Sequence, residues 1–328
     1  MNGTESVLPF AVVFPGQGSQ RVGMMSTLAA THEEVVERFA TASSVLGFDL
    51  WELVSNGPAD SLNRTENTQP AMLAAGVATW DVWLKSGGPM PARVAGHSFG
   101  EYTALVCAGA LKFDTAVALA ADRGRYMQEA VPEHEGAMAA ILGLGLGVLE
   151  AICKQAAGEE GICACANLNA PGQIVIAGDT RTVEAACDLA REAGAKRAIR
   201  LPMSVPVHCS LMRPAAERLA ERLRSVDFIS PRIEVTHNVD VAAHSEPDEI
   251  KDALVRQLYS PVRWIETIED FARSGISHVF ECGPGKILTS LIKRIDRSLD
   301  SAALSGSESF REQIETISGL SRGRADER

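Results

Sequence analysis

The spacing of apolar residues along this chain changes several times, and each change marks a predicted element. Phe10-Ala11-Val12-Val13-Phe14 is an unbroken apolar run of strand length, stopped by Pro15-Gly16-Gln17-Gly18. From there to about Leu84 the pattern is helical, with alanine-rich stretches such as Pro70-Ala71-Met72-Leu73-Ala74-Ala75. Arg93 to Gly96 predicts a strand and Glu101 to Ala110 a helix, and Asp114 reads as the N-cap of a helix running to about Ala130. The middle of the chain differs in character. Ala137–Leu142 predicts a strand, Val148–Ala157 a helix, and Ile162–Ala166 and Gln173–Ala177 two strands joined through the turn-rich segment 167–172. Thr182–Ala193 is then helical and Lys196–Leu201 a last strand. That β-α-β-β-α-β order within about 70 residues is the split pattern of a ferredoxin-like unit. The chain then offers strands at Ile233–Thr236 and His278–Glu281, separated by helices. After Leu304 one amphipathic helix leads into the charged end RGRADER.

The turn between the Arg93–Gly96 strand and the next helix holds Gly96-His97-Ser98-Phe99-Gly100, a G-x-S-x-G pentapeptide. On a strand-to-helix turn this spacing exposes a serine hydroxyl as a nucleophile, and the two glycines allow the tight backbone approach required. The plain alternative is a serine in an ordinary turn. The expected architecture is α/β, with a large α/β-hydrolase-like domain formed by residues 1–133 and 206–310 around a short parallel sheet and a nucleophile elbow. A ferredoxin-like subdomain at 134–205 is inserted into it, and 311–328 form a C-terminal tail.

Composition narrows the classes. The 328 residues are 46% hydrophobic and 22% charged, which is ordinary for a globular enzyme. A net charge of −11 sets the chain as a whole against nucleic acid and anionic membranes. The beginning MNGTESVLPF lacks the basic and long apolar regions of a signal peptide, and the uncharged run Gly136–Leu149 is too short to span a bilayer. Seven cysteines with no C-x-x-C pair read as reduced thiols of a cytoplasmic protein, and their spacing offers no metal site.

If Ser98 is a nucleophile, the N–H of Phe99 at the start of the following helix is one oxyanion donor. A second donor has to come from another loop, and the glycine-rich Pro15–Gln20 turn can supply one. That turn is not a Walker A loop, and neither is Gly283-Pro284-Gly285-Lys286, because the G-K-[ST] sequence is missing from both. Seven histidines compete for the role of base; among them His208 sits in a segment stiffened by Pro202 and Pro206. Arg123 lies three or four residues from Leu119, Ala120, Tyr126 and Met127, so it falls on the apolar face of its helix. A guanidinium there needs an anionic partner, either an internal carboxylate or the carboxylate of a substrate.

These pieces, taken with their neighbours, resemble the malonyl-CoA:acyl carrier protein transacylase family. The matching segments are VFPGQGSQ (13–20), TQPAML (68–73), GHSFGEYTAL (96–105), DRGRYMQEA (122–130) and GAMAAILGL (136–144). ANLNAPGQIVIAG (166–178), LPMSVPVHCSLM (201–212), QLYSPVRW (257–264) and ECGPGKIL (281–288) continue the series in order. The resemblance implies that Ser98 becomes malonylated and that His208 is the general acid/base. It further implies that Gln17 and Phe99 give the oxyanion N–H groups and that Arg123 holds the malonyl carboxylate. The backbone carbonyl of Gln257 would orient His208, so no carboxylate third member is expected. Phe99 stands where leucine is common in the family, and since only its N–H is needed the role survives.

The implied partners are malonyl-CoA, which is a substrate, and acyl carrier protein. No cofactor or metal is expected, and the expected state is a monomer. The carrier is acidic in this family, which a chain of net charge −11 can accommodate by clustering basic residues. Lys286, Lys293 and Arg294, with Arg297, are the candidate docking patch; the alternative is a solvated helix face. Three other readings fit parts of the same sequence. A serine esterase would share Ser98 but gives no reason for Arg123, a discrete acyltransferase of polyketide synthesis shares every motif, and a carrier-binding scaffold leaves the set Ser98, His208 and Arg123 unexplained.

Overall fold

A computed structural model describes residues 7–132, 134–202 and 205–319. In chain order it has β1 (Phe10–Phe14), α1 (Ser26–Ala29), α2 (Glu33–Leu46), α3 (Leu50–Asn56), α4 (Ala59–Asn63), α5 (Thr65–Lys85), β2 (Arg93–Gly96), α6 (Gly100–Cys107) and α7 (Phe113–Ala130). Then come β3 (Gly136–Leu142), α8 (Leu146–Ala157), β4 (Cys163–Ala170), β5 (Gln173–Asp179), α9 (Thr180–Glu192), β6 (Arg197–Arg200) and α10 (Arg213–Leu223). The chain continues with β7 (Glu234–Thr236), α11 (Pro247–Gln257), α12 (Trp264–Arg273), β8 (His278–Cys282), α13 (Ile287–Ile295), β9 (Asp300–Leu304) and α14 (Ser307–Ile317).

The chain packs as two units. Among the described residues, the first comprises those within 7–121, 229–236 and 269–319, and the second those within 122–228 and 237–268.

The first unit is built on a five-stranded sheet in the order β7-β2-β1-β8-β9, every neighbouring pair parallel. β1 lies at its centre and all five of its residues are buried, which is why FAVVF is apolar throughout rather than alternating. The rings of Phe10, Trp83 and Phe280 pack together at centroid distances of 5.6–6.0 Å, and Phe310 of α14 joins them at 6.5 Å from Trp83. Because the strands are parallel, their C-terminal ends share one edge of the sheet. Pro15 after β1, His97 after β2 and Gly283 after β8 therefore leave the sheet side by side. β1 is also where the strand order reverses, the place at which open parallel sheets bind ligands.

The second unit holds a four-stranded antiparallel sheet in the order β4-β5-β3-β6. The β-α-β-β-α-β succession is present, and Leu149, Ile152, Val183 and Ala186 of α8 and α9 pack on Ala139, Ile141 and Ile176 of the sheet. All seven cysteines are free thiols.

Three elements depart from the sequence expectation. β4 runs on to Ala170 instead of ending near Ala166, because Asn167, Leu168 and Ala170 pair with Val175, Ile174 and Gln173 of β5, and Val262 adds backbone hydrogen bonds to Ala166 and Leu168 on the other side. Asp300–Leu304, for which no strand was expected, forms the edge strand β9; its weak strand composition is offset by full parallel pairing with β8. Asp114, expected as an N-cap, lies inside the first turn of α7, which starts at Phe113; the amphipathic helix expected after Leu304 is α14, anchored by Phe310 and Ile317, both 0% exposed. Residues 320–328, which include the end RGRADER, lie outside the described residues. Among the described residues no helix is long and apolar enough to cross a membrane.

Candidate active site

In the first unit, β2 ends at Gly96 and α6 starts at Gly100, leaving three residues for a reversal of direction. Ser98 takes the left-handed conformation there, with φ 50°. A non-glycine residue in that region costs on the order of 1–2 kcal/mol, so the surroundings must impose it. The two flanking glycines show how. A Cβ on Gly96 would lie 1.8 Å from the carbonyl carbon of Gly100, and one on Gly100 would lie 2.1 Å from the Phe14 carbonyl oxygen. The elbow is thus backbone packed on backbone, possible only where side chains are missing.

The Pro15–Gly18 loop lies against this elbow. A Cβ on Gly16 would meet the His97 carbonyl oxygen at 2.4 Å and the Phe99 nitrogen at 3.6 Å. Gln17, next to Gly16, is therefore carried alongside Phe99, next to Ser98. The loop is held by its own side chains: the Gly18 N–H donates to Gln20 Oε1 at 2.7 Å, and Gln20 Nε2 donates to Asn63 Oδ1 at 2.9 Å. Phe99 is 2% exposed and stacks on Tyr102 with centroids 5.3 Å apart, so its bulk is absorbed by packing.

In the second unit, α11 buries Ile250, Ala253, Leu254 and Gln257, the i, i+3, i+4, i+7 stripe of an amphipathic helix with a glutamine at its end. The carbonyl of Gln257 lies 2.8 Å from His208 Nδ1. A carbonyl only accepts, so Nδ1 carries the proton, and in the neutral ring Nε2 is the nitrogen able to accept one. The His208 N–H donates to Leu258 O at 2.9 Å, and His208 adopts φ 64°. Gln257 has a second role that its backbone assignment did not reveal: its Oε1 accepts from Arg123 Nη2 at 3.0 Å. Arg123, His208 and Gln257 are each 1% exposed. The signal that could have found the side-chain role is a lone amide on an otherwise apolar helix stripe. Arg125 is exposed and pairs with Asp122 at 2.7 Å.

Cys209 adjoins His208 but does not compete as a nucleophile. Burial pushes its thiol up to about 11, and its Sγ donates to the Pro206 carbonyl at 3.1 Å. Of the remaining predicted residues, Lys286 precedes α13, while Lys293 and Arg294 lie in its last turn; all three are exposed.

The acyl transferase domain family matches residues 11–309. The chain belongs to this family. It is 53% identical over 295 residues to the malonyl CoA-acyl carrier protein transacylase of Escherichia coli strain K12, spanning 90% of this chain and 95% of that one. The Bacillus subtilis strain 168 protein of the same name is 43% identical, over 94% of this chain and 96% of that one. A solved structure of the Coxiella burnetii malonyl CoA-acyl carrier protein transacylase superposes with a TM-score of 0.94 at 49% identity, covering 95% of this chain and 98% of that one. A malonyl-transacylase solved in complex with its type II PKS acyl-carrier protein superposes with a TM-score of 0.92 at 50% identity, covering 94% of this chain and 99% of that one.

The elbow geometry makes a direct prediction. Gly100→Ala drives a methyl group into the Phe14 carbonyl, so it should destabilise the protein by about 1–3 kcal/mol in chemical denaturation. It should also slow labelling of Ser98 by a fluorophosphonate probe by about tenfold or more, measured by mass spectrometry. Unchanged stability and labelling would show that the close approach is not a constraint.

Proposed function

We propose that this acyltransferase moves the malonyl group of malonyl-CoA to the phosphopantetheine thiol of acyl carrier protein, through a malonyl ester on Ser98, and so supplies extender units for fatty acid synthesis. The observation that carries the reading is the double duty of Gln257. Its carbonyl fixes the tautomer of the base His208 while its side chain holds the buried guanidinium of Arg123. A base and a carboxylate receptor anchored on one residue suit an acyl group that bears its own carboxylate, as malonyl does and acetyl does not. The names of the relatives at 43–53% identity support the same substrate and acceptor.

In the first half-reaction His208 Nε2 takes the proton of Ser98 Oγ as that oxygen attacks the thioester carbon. The oxyanion of the tetrahedral intermediate is bound by the N–H groups of Gln17 and Phe99. Collapse expels the CoA sulfur, which receives the proton from His208. In the second half the carrier thiol gives its proton to His208 and attacks the malonyl ester. Collapse then returns the proton to Ser98 Oγ. Malonyl-CoA is a substrate, and this chemistry asks for no cofactor or metal. On the same reading the protein is a cytoplasmic monomer whose α/β-hydrolase-like catalytic domain carries a ferredoxin-like subdomain at 134–205. The strand-to-helix setting of Ser98 and the strand order of the antiparallel sheet support these two architectures.

The carrier is assigned to the exposed basic residues Lys286, Lys293 and Arg294 on and beside α13, which complement its acidic surface. Lys293 and Arg294 also sit where a helix C-terminus favours cations, so a purely structural role is the outcome against which docking is tested. One observation favours a second reading of the pathway: the likeness to the malonyl-transacylase bound to a type II PKS carrier. Comparison of fatty-acid and polyketide carriers as acceptors separates the two.

Three outcomes are expected. Mixing the enzyme with malonyl-CoA should give a malonyl adduct on Ser98 by intact-mass and peptide mass spectrometry, and the adduct should vanish on adding carrier protein. Loss of the adduct without carrier would indicate an esterase. Arg123→Ala should lower kcat/KM for malonyl-CoA by about 10²–10³, corresponding to about 3–4 kcal/mol, with little loss for acetyl-CoA. Equal losses would remove the carboxylate clamp. Charge reversal at Lys293 and Arg294 should raise KM for carrier protein while Ser98 loading keeps its wild-type rate.

A further inference from the structure

Glu281 is a buried carboxylate that the reaction above leaves unused. It is 0% exposed and lies near the end of β8, paired in register with Val13 of β1. Its Oε2 accepts two hydrogen bonds from Thr289, from the backbone N–H and from Oγ1, each at 2.8 Å. The N–H groups of Leu288 and Ile287 also favour its ionised form, although burial outweighs them and raises the group above its ordinary range. α13 has no side-chain cap of its own at Lys286. Glu281 therefore caps the first turn of α13 from the strand that precedes it, satisfying helix amides that would otherwise be orphaned.

Capping from the strand has a consequence that an ordinary cap at position 286 would not have. It ties the start of α13 to β8 and so fixes both ends of the Cys282–Lys286 loop. That loop is built on glycines at positive φ, 140° at Gly283 and 91° at Gly285. A Cβ on Gly283 would lie 3.1 Å from Pro15 Cγ and Cδ, and one on Gly285 would lie 3.8 Å from Ser19 Cβ. The Cys282 Sγ adds a contact to the Gly76 carbonyl at 3.7 Å. The Pro15–Ser19 segment thus has the elbow on one side, through Gly16 and His97, and the Cys282–Lys286 loop on another. Gln17 is in the middle of that segment.

We infer that Glu281 is a positioning residue for acyl transfer: by capping α13 it holds the Cys282–Lys286 loop against Pro15 and Ser19, and so aims the Gln17 N–H at the developing oxyanion. This rests on reading Gln17 and Phe99 as the oxyanion donors. An oxyanion donor acts only when it is preorganised, and a displacement of an ångström is costly. A rigid backing to the donor loop is therefore part of the catalytic machinery, although Glu281 touches no reacting atom.

Rapid-quench kinetics with active-site titration test this. Glu281→Ala should lower the rate constant for Ser98 malonylation by about tenfold and that for transfer to carrier by a similar factor, since both steps pass through an oxyanion. KM for malonyl-CoA should stay within about twofold of wild type, and the burst amplitude per folded enzyme should be unchanged. Glu281→Gln keeps an acceptor for Thr289 and should recover most of the lost rate. Gly283→Ala, which presses on Pro15 with Glu281 intact, should reproduce the slow rate constant. A Glu281→Ala enzyme that loses burst amplitude or melting temperature but keeps both rate constants would overturn the inference, as would slowing of one half-reaction alone. Should Glu281→Ala not fold, a normal rate constant in Gly283→Ala would overturn it equally. A wild-type enzyme that forms no malonyl-Ser98 would instead fail the underlying reading, and with it the oxyanion role that Glu281 is held to support.

Discussion

The close approach of backbone to backbone around Ser98 is the constraint on which the first unit depends. Gly16, Gly96 and Gly100 each stand where a methyl group would fall within 2.4 Å of a main-chain atom. Those contacts force Ser98 into its left-handed conformation and bring the loop after β1 against the loop after β2. Parallel strands make the arrangement possible, because only then do consecutive loops leave the same edge of the sheet. The strain at Ser98 is sustained by β1, buried throughout, and by β2, whose last three residues are buried, and these leave the turn little freedom to relax.

In the second unit the corresponding constraint is a single glutamine. Gln257 presents a carbonyl to His208 and an amide oxygen to Arg123, both within 3.0 Å. A neutral acceptor suits both tasks. It fixes the tautomer of the imidazole without lending it a charge, and it accepts from the guanidinium without adding a charge of its own. On the proposed reading a carboxylate in the same place would pair with Arg123 and compete with the substrate carboxylate. The proposed function therefore follows from chemistry that a Ser-His-Asp template would overlook.

Buried titratable groups recur in both units. Arg123 is held by an amide oxygen and Glu281 by the first turn of a helix, bonds that offset part of the cost of taking such groups out of water. One is read as receiving the substrate's anion. The other is proposed to tie α13 to the loop in which Gln17 is read as an oxyanion donor.

How much of this the chain discloses by itself varies with the range of the interaction. The apolar run at 10–14, the G-x-S-x-G turn, the β-α-β-β-α-β pattern and the position of Arg123 on an apolar helix face are all local periodicities, and local physics was enough to find them. The motifs that resemble the family also lie in short contiguous segments, so they named candidate residues before any packing was known. Other features depend on residues distant in sequence. β9 exists because β8 lies beside it, and β4 gains a second backbone partner in Val262, about ninety positions further on. The hydrogen bond from Arg123 to Gln257 spans 134 positions, and Gly283 meets Pro15 across the parallel sheet. Periodicity records which face of an element is buried, but not what it is buried against. For that reason the sequence determined the elements and the candidate chemistry, while only the tertiary structure decided which groups hold His208, Arg123 and the Gln17 loop in place.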